Sequence, residues 1–159
     1  MKILIVYITR HGCALKVAEK LSRKILGQVE LTDLREKQKL SLDPFETVIL
    51  GGSIHMGRIH RKLTAFCERY QRQLLQKRLG IFLCHMYEGD VAQKQFDQAF
   101  PQALRYHAVA HGLLGGEFEF EKMNFFEKMM VKNIAQTNKS ISRIDDQAID
   151  AFAEKINKN

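Results

Sequence analysis

Three short segments carry most of the side chains in this sequence that could bind a ligand or do chemistry, and each directly follows an apolar run. They are the first segment at residues 9–13 (TRHGC), the second at 53–57 (SIHMG) and the third at 84–88 (CHMYE). Gly12 leads into an amphipathic stretch, so the free backbone amides and positive dipole end of a helix there would form an anion site. A phosphate is the expected ligand of the first segment, and the alternative is that Gly12 only allows a turn.

Histidines and cysteines in these segments could support two further kinds of chemistry. His11, His55 and His85 would lie at adjacent strand ends, but they lack the fixed spacing of a metal-binding motif. We therefore expect no metal and assign them to the polar lining of a pocket. Cys13 would stand at a helix N-terminus beside Arg10 and His11, which predicts a lowered thiol pKa and allows a redox-sensing role. The three cysteines are an odd number without CxxC spacing, which argues against a disulfide framework and a zinc motif.

The motifs of several other phosphate-binding families do not occur in this sequence. It contains neither the GxGxxG of dinucleotide-binding domains nor the GxxxxGK[ST] of P-loop proteins. A phosphatase that used Cys13 in this loop would need an arginine six residues later, where Glu19 stands. A phosphate-accepting receiver domain would need carboxylates after the first and third strands, where the sequence has Tyr7-Ile8 and Gly51-Gly52.

Alternating strand and helix patterns supply the elements that would position the three segments. Continuous apolar runs predict strands buried on both faces, and helical spacing of apolar residues predicts the connecting helices. We predict strands at 2–8, 28–34, 47–50, 79–84 and 109–114, and helices at 13–26, 63–74, 90–100 and 121–135 and after Asp145 or Asp146. Gly51, Gly52 and Ser53 are expected to form a loop, and Asp90 is expected to cap a helix that buries Val91.

This alternation predicts parallel strands joined by right-handed crossovers, hence a three-layer α/β/α sandwich around a five-stranded sheet. The 159 residues suffice for one such domain, spanning 1–159, with a full hydrophobic core. In open parallel sheets a ligand lies beyond the carboxyl ends of the strands, where the crossovers change sides. The three segments are predicted to lie at that edge.

Composition limits the classes of partner. The formal net charge of +7 favours an anionic partner, but no zinc-finger, RNP or continuous basic motif is present, so nucleic acid is not expected. The apolar runs fall far short of the roughly 20 residues that span a bilayer, and the start has no secretory signal pattern. We expect a cytoplasmic protein.

Two stretches resemble the flavodoxin family. Residues 4–14 (LIVYITRHGCA) are similar to its first strand and phosphate loop, and residues 48–57 (VILGGSIHMG) to its third strand and flavin-side loop. The Thr-Arg-x-Gly loop and the Gly-x-Ser-Ile-x-x-Gly-x-x-His stretch at 51–60 most resemble the short flavodoxin-domain branch that includes menaquinone-dependent protoporphyrinogen dehydrogenases. The resemblance implies strand order 2-1-3-4-5 and FMN as the cofactor.

The resemblance also implies a function: electron transfer or an FMN-dependent oxidoreductase activity, with a redox partner protein or a quinone- or porphyrin-type substrate. The alternative is a non-flavin domain of the same fold that senses redox state or mediates protein contacts. The residues expected to contact FMN are Thr9, Arg10, His11, Gly12, Cys13, Ala14, Ser53, Ile54, His55, Met56, Gly57, Cys84, His85, Met86 and Tyr87.

Two further stretches point to partners. Arg58, His60, Arg61 and Lys62 open the predicted helix after the third strand, where the helix dipole disfavours cations, so an acidic partner or substrate carboxylates could dock there. Residues 122–134 are more apolar than a solvated helix requires. Core packing explains most of this pattern, and a quinone, partner or peripheral membrane contact could explain the rest.

Overall fold

A five-stranded parallel sheet organises the chain, for which the computed structural model describes residues 1–37, 39–135 and 140–158. Its strands are β1 (Lys2–Ile8), β2 (Gln28–Asp33), β3 (Thr47–Ser53), β4 (Arg78–Cys84) and β5 (Ala110–Leu113). They lie in the order β2-β1-β3-β4-β5, which confirms the predicted order. The exposed strand β2 lies at one edge of the sheet, as its alternating sequence predicts.

Within the described residues, six α-helices connect or flank these strands. They are α1 (Cys13–Lys24), α2 (Arg61–Leu74), α3 (Gly89–Ala99), α4 (Gln102–His107), α5 (Phe125–Ala135) and α6 (Asp146–Asn157). The short helix α4 was not predicted. Asp145, rather than Asp146, caps α6, because its Oδ1 accepts a hydrogen bond from the backbone N–H of Ala148 at 2.9 Å.

Side chains from both faces of the sheet form two hydrophobic cores. Along β1, Leu4 and Val6 belong to the core that α2, α3 and α4 cover. Ile3 and Ile5 belong to the core that α1 and α6 cover. Because successive side chains of a strand point to opposite faces, a continuous apolar run fills both cores at once. The three-layer α/β/α sandwich is therefore confirmed.

Two local predictions were wrong. Gly51, Gly52 and Ser53 continue β3 rather than forming a loop, and each pairs in register with β4. Helix α3 begins at Gly89 after Glu88, so Asp90 lies in its first turn and does not cap it. Val91 is exposed, and the neighbouring Ala92 is buried in its place.

A small two-stranded antiparallel sheet near the carboxyl edge of the main sheet was not predicted. Its antiparallel strands are β6 (Glu117–Phe118) and β7 (Ile141–Ser142). Lys16 of α1 contacts this part of the chain: its Nζ lies 2.6 Å from Oε2 of Glu117 in β6 and 2.7 Å from Oε1 of Glu119. In the described part of the chain, no helix is long and apolar enough to cross a membrane.

The packing around Gly51 leaves no room for a side chain, so a substitution there should lower stability. A Cβ at this position would lie 1.9 Å from the Phe82 ring. We expect Gly51→Ala to lower the free energy of unfolding in urea by about 1–3 kcal/mol because the core is overpacked. Phe82→Leu in the same chain should relieve the clash, so the double variant should lose less than the sum of the single losses. Strictly additive losses would contradict this account.

Candidate functional site

A cleft of about 430 Å³ lies at the carboxyl edge of the sheet, between the first and second segments. Parallel pairing of β1 with β3 brings these segments side by side, since Ile8 is opposite Gly52 in the register. The volume lies within the range of small-molecule sites. The lining residues are Ile8, Thr9, Arg10, His11, Cys13, Ser53, Ile54, His55, Arg58, Ile59, His60, Arg61, Glu117 and Met123.

The first segment forms a tight turn into α1. Thr9 Oγ1 accepts a hydrogen bond from the backbone N–H of Gly12 at 2.9 Å, which closes the turn. Gly12 has φ +94°, a left-handed conformation that favours glycine, and the space beside it is open. Helix α1 has no acidic residue in its first turn and no side chain that caps it. Its N-terminal amides therefore face the cleft side without a competing carboxylate on their own helix.

The second segment ends in a two-residue turn. His55 and Arg58 exchange backbone hydrogen bonds of 2.8 and 3.1 Å across it. Met56 and Gly57 between them have φ values of 49° and 75°, as a type I′ turn requires. Ser53, Ile54 and His55 line the cleft, whereas Met56 at the turn is 54% exposed. The segment thus presents His55 to the ligand site and Met56 to its rim.

The third segment does not line the cleft. The backbone N–H of His85 donates to Gly115 O at 2.9 Å, and His85 Nδ1 contacts Tyr87 O. Of the described residues that line the cleft, Glu117 and Met123 come from the chain beyond β5, and none comes from residues 84–87. An FMN contact by Cys84, His85, Met86 or Tyr87 therefore stays a prediction without a matching position in the cleft. Ala14 is fully buried in the core under α1 and does not line the cleft either.

Cys13 and Cys84 form a buried thiol pair beneath the first segment. A hydrogen bond between the two thiols lowers the pKa of Cys13, and burial opposes this shift. The same contact, together with burial, raises the pKa of Cys84 well above the usual thiol value. The direction predicted for Cys13 is confirmed, but its main cause is Cys84 and not Arg10 or His11.

Glu127, like Glu117 and Met123, is a residue at the site that the sequence patterns did not indicate. Its side chain is only 4% exposed and receives Arg10 Nη2 on Oε1 at 2.9 Å. His11 Nε2 lies 2.6 Å from its Oε2, and His55 Nε2 lies 3.7 Å from its Oε1. Both the first and the second segment therefore converge on one carboxylate of α5.

A local signal for this position does exist in the sequence. Asn124 accepts a hydrogen bond through Oδ1 from the backbone N–H of Glu127 at 2.9 Å, and its Nδ2 donates to Glu127 Oε1 at 3.0 Å. This is a variant of the capping box, in which a capping residue is followed three positions later by a glutamate. The pattern NFFE at 124–127 marks the start of α5, but it cannot show which loops the carboxylate reaches.

Cationic side chains dominate the mouth of the cleft. Arg10, Arg58 and Arg61 line the cleft, and Glu117, which also lines it, is paired with Lys16. Burial, followed by the nearby charge of Arg10, lowers the pKa of His55 below the usual histidine value. His55 is therefore mainly neutral at neutral pH. The arrangement favours an anionic ligand in contact with neutral imidazole.

A second cleft, of about 500 Å³, lies beside β5, the edge strand on the side of the sheet away from β2. It is lined by Gln93, Phe96, Asp97, Arg105, Tyr106, His111, Gly112 and Leu113. None of the three segments contributes to it, and Arg105 is already paired with Asp97 at 2.9 Å. The first cleft therefore remains the candidate site.

The strand order 2-1-3-4-5 and a cleft between the ends of β1 and β3 define a flavodoxin-like α/β protein. A flavodoxin domain family profile matches residues 4–145. The chain belongs to the flavodoxin domain family, which supports FMN as its cofactor. The particular similarity to the protoporphyrinogen dehydrogenase branch stays a prediction.

Solved structures show the same fold at low sequence identity. A flavodoxin of Streptococcus pneumoniae TIGR4 is 14% identical, with a TM-score of 0.60 over 98% of this chain and 97% of that one. Flavodoxin 1 of Bacillus cereus is 14% identical, with a TM-score of 0.57 over 97% and 93%. Rubredoxin oxygen:oxidoreductase of Desulfovibrio gigas is 15% identical, with a TM-score of 0.50 over 99% of this chain but only 37% of that one. Comparison with curated protein sequences finds no match.

The thiol pair gives a prediction about reactivity. In the folded protein, we expect the pH midpoint for alkylation of Cys13 by iodoacetamide, followed by peptide mass spectrometry, to lie below that of a free cysteine. Cys84→Ala should move the midpoint upward, because it removes the hydrogen bond that stabilises the Cys13 thiolate. Cys67→Ala is the matched control, since Cys67 is buried in the other core. An unchanged midpoint in Cys84→Ala would contradict the assignment.

Proposed function

We propose that this chain binds FMN in the cleft between the first and second segments and functions in electron transfer. The observation that carries the proposal is the first segment itself. It presents a helix N-terminus without a first-turn acid to a cleft whose mouth carries three arginines. Such an arrangement favours the phosphate of a flavin nucleotide. Membership of the flavodoxin domain family supports the same ligand.

The residues present fit this group. Thr9 holds the turn, and the amides at the start of α1 would bind the phosphate, while open space beside Gly12 allows its approach. His55, with Met56 at the rim, would border the flavin ring. When bound, FMN supplies the electron-accepting and electron-donating chemistry, and the protein supplies orientation and electrostatics.

Arg10 lines the cleft and also pairs with the buried Glu127. Glu127 places a negative charge beside the cleft-lining His11 and His55, and Arg10 neutralises it through the 2.9 Å contact to Oε1. An unpaired buried carboxylate would repel a phosphate and would carry a large desolvation cost. Arg10 is 53% exposed, so its guanidinium contacts the buried carboxylate while part of its side chain remains in solvent.

A titration with FMN tests the proposal. We expect FMN fluorescence to change saturably on addition of the apoprotein. Thr9→Val should weaken binding about five-fold, because losing the hydrogen bond that closes the turn costs about 1 kcal/mol. Thr47→Val is the matched control, since this buried threonine begins β3 at the opposite edge of the sheet.

The control variant distinguishes a loss of FMN binding at the first segment from a general loss of folding. Thr47→Val should bind FMN like the unmodified chain, provided that circular dichroism shows both variants folded. No saturable change with the unmodified chain would overturn the proposal. Equal weakening by both variants would show that the first segment does not hold the phosphate.

The positive charge at the mouth of the cleft indicates which kind of partner would dock there. Arg58 and Arg61 line the cleft, and α2 begins at Arg61 without an acidic residue in its first turn. His60 Nδ1 caps this helix by accepting from the Lys62 N–H at 3.1 Å. We propose that an acidic redox protein, or the carboxylates of a porphyrin-type substrate, docks against these arginines. A protoporphyrinogen dehydrogenase-like reaction belongs to this proposal.

Electron transfer to acceptors of different charge tests this docking. With FMN saturating, Arg58→Gln with Arg61→Gln should slow stopped-flow reoxidation by ferricyanide, an anionic acceptor, at least about three-fold at low ionic strength. The rate with the unmodified chain should fall as salt rises and that of the variant should fall less, since salt screens exposed charges. A neutral quinone acceptor serves as the control and should react equally with both. Equal ferricyanide rates and salt slopes would remove the steering role.

Helix α5 supplies the surface for the proposed quinone or membrane contact. Phe125 and Phe126 are 71% and 66% exposed, and Met129 is exposed beside them. The prediction that core packing accounts for most of this stretch holds for Val131 and Met123, which are buried, but not for these three residues. A peripheral membrane contact stays a prediction, and these are the side chains that it would use.

The thiol pair favours a second candidate function. Contact with Cys84 lowers the pKa of Cys13, which lines the cleft although both thiols are mostly buried. Reaction with hydrogen peroxide would convert the two thiols to a disulfide and release two molecules of water. Intact-mass analysis after peroxide treatment would detect the loss of two hydrogens, and Cys84→Ala should abolish it. A protein that forms this disulfide but takes up no FMN would favour the sensing function.

A further inference from the structure

Three potential metal-ligating atoms lie close together beside the cleft. His11 Nε2, His55 Nε2 and a carboxylate oxygen of Glu127 all lie within 4.8 Å of one another. The shortest separation is 2.6 Å, between His11 Nε2 and Glu127 Oε2, and His55 Nε2 lies 3.7 Å from Oε1. No single stretch of sequence contains this group, because its members follow β1, follow β3 and begin α5.

The fold holds each member of the group in place. Register pairing of β1 with β3 sets the two histidines side by side, with ring centroids 6.1 Å apart and ring planes at 61°. The hydrogen bonds between Asn124 and Glu127 fix the carboxylate at the start of α5. The three ligating atoms are thus fixed by sheet pairing and by a helix cap, and not by flexible surface chains.

We propose that His11, His55 and Glu127 form a binding site for one divalent transition-metal ion of the Zn²⁺ class. Two imidazoles and one carboxylate are a donor set that such ions accept in tetrahedral sites with an open fourth position. Metal–ligand bonds of about 2.0–2.2 Å place neighbouring ligands roughly 3.4 Å apart. His11 and Glu127 would therefore separate by less than about 1 Å, and His55 would move slightly inward.

Space for an ion exists beside the three side chains. A cavity of about 60 Å³ is lined by His11, Ile54, His55, Met56, Met123, Glu127, Met130 and Val131. This volume holds an ion with one or two water molecules. His11 and His55 also line the larger cleft, so the open coordination position would face the proposed ligand site.

Arg10 is the natural competitor of the metal. Its guanidinium already neutralises Glu127, and a bound cation would take over this role. Because Arg10 is half exposed, it can turn into solvent when the ion binds. We therefore expect that replacing Arg10 strengthens metal binding, whereas replacing His55 or Glu127 weakens it.

Titration of the full chain without an affinity tag tests the proposal, using Zn²⁺ by calorimetry and Co²⁺ by its visible absorption. We expect one equivalent to bind, with at least about ten-fold weaker binding in His55→Gln and in Glu127→Gln and stronger binding in Arg10→Gln. His107→Gln is the matched control, because His107 is exposed and contacts Lys77 O at the opposite side of the molecule. It should bind the metal like the unmodified chain.

A second measurement avoids dependence on the stability of the variants. In the unmodified chain, paramagnetic Co²⁺ should shift or broaden the ring resonances of His11 and His55 and leave those of His107 and His111 sharp. Absence of stoichiometric binding, or binding that survives both His55→Gln and Glu127→Gln, would overturn the proposal. These experiments are independent of FMN, so their failure leaves the proposed electron-transfer function intact.

Discussion

Parallel pairing between β1 and β3 is the constraint on which the site depends. The register that sets Ile8 opposite Gly52 makes both strands end at the same level, so the first and second segments meet across a cleft. Gly51 allows β3 to pair on its other side with β4, where the Phe82 ring lies against it. The core and the site are therefore coupled, because the strands that fill both hydrophobic layers also determine which loops face each other.

Charge balance at the end of these strands is the second organising feature. Helix α5 brings the buried Glu127 to Arg10, His11 and His55, which ties the chain beyond β5 to the loops of the two central strands. Lys16 pairs with Glu117 of β6 and with the nearby Glu119. Because a buried carboxylate is costly without partners, these contacts favour one arrangement of α5 over the first segment. The mouth of the cleft keeps a cationic rim suited to a phosphate or an acidic partner.

The sequence was sufficient for those parts of the molecule that local patterns determine. The buried strands, their order and the helices with strong apolar stripes follow from periodicity and from family resemblance. Gly51 and Gly52 were wrongly assigned to a loop because glycine occurs both in turns and at tightly packed positions. Here the Phe82 ring crowds Gly51, and the side chains of Ile59 and Leu63 crowd Gly52. Strands β6 and β7 are too short to give a pattern. Glu127 was missed because its role depends on contacts with residues far away in sequence, such as His11, which lies 116 residues before it.

The central claim is that FMN binds between the first and second segments, and a crystal structure of the chain with FMN tests it most directly. The account predicts that the phosphate lies against the backbone amides at the start of α1, with the flavin ring beside His55 and Arg10 still in contact with Glu127. FMN bound elsewhere, for example in the 500 Å³ cleft beside Tyr106 with the first segment free of phosphate, would contradict it.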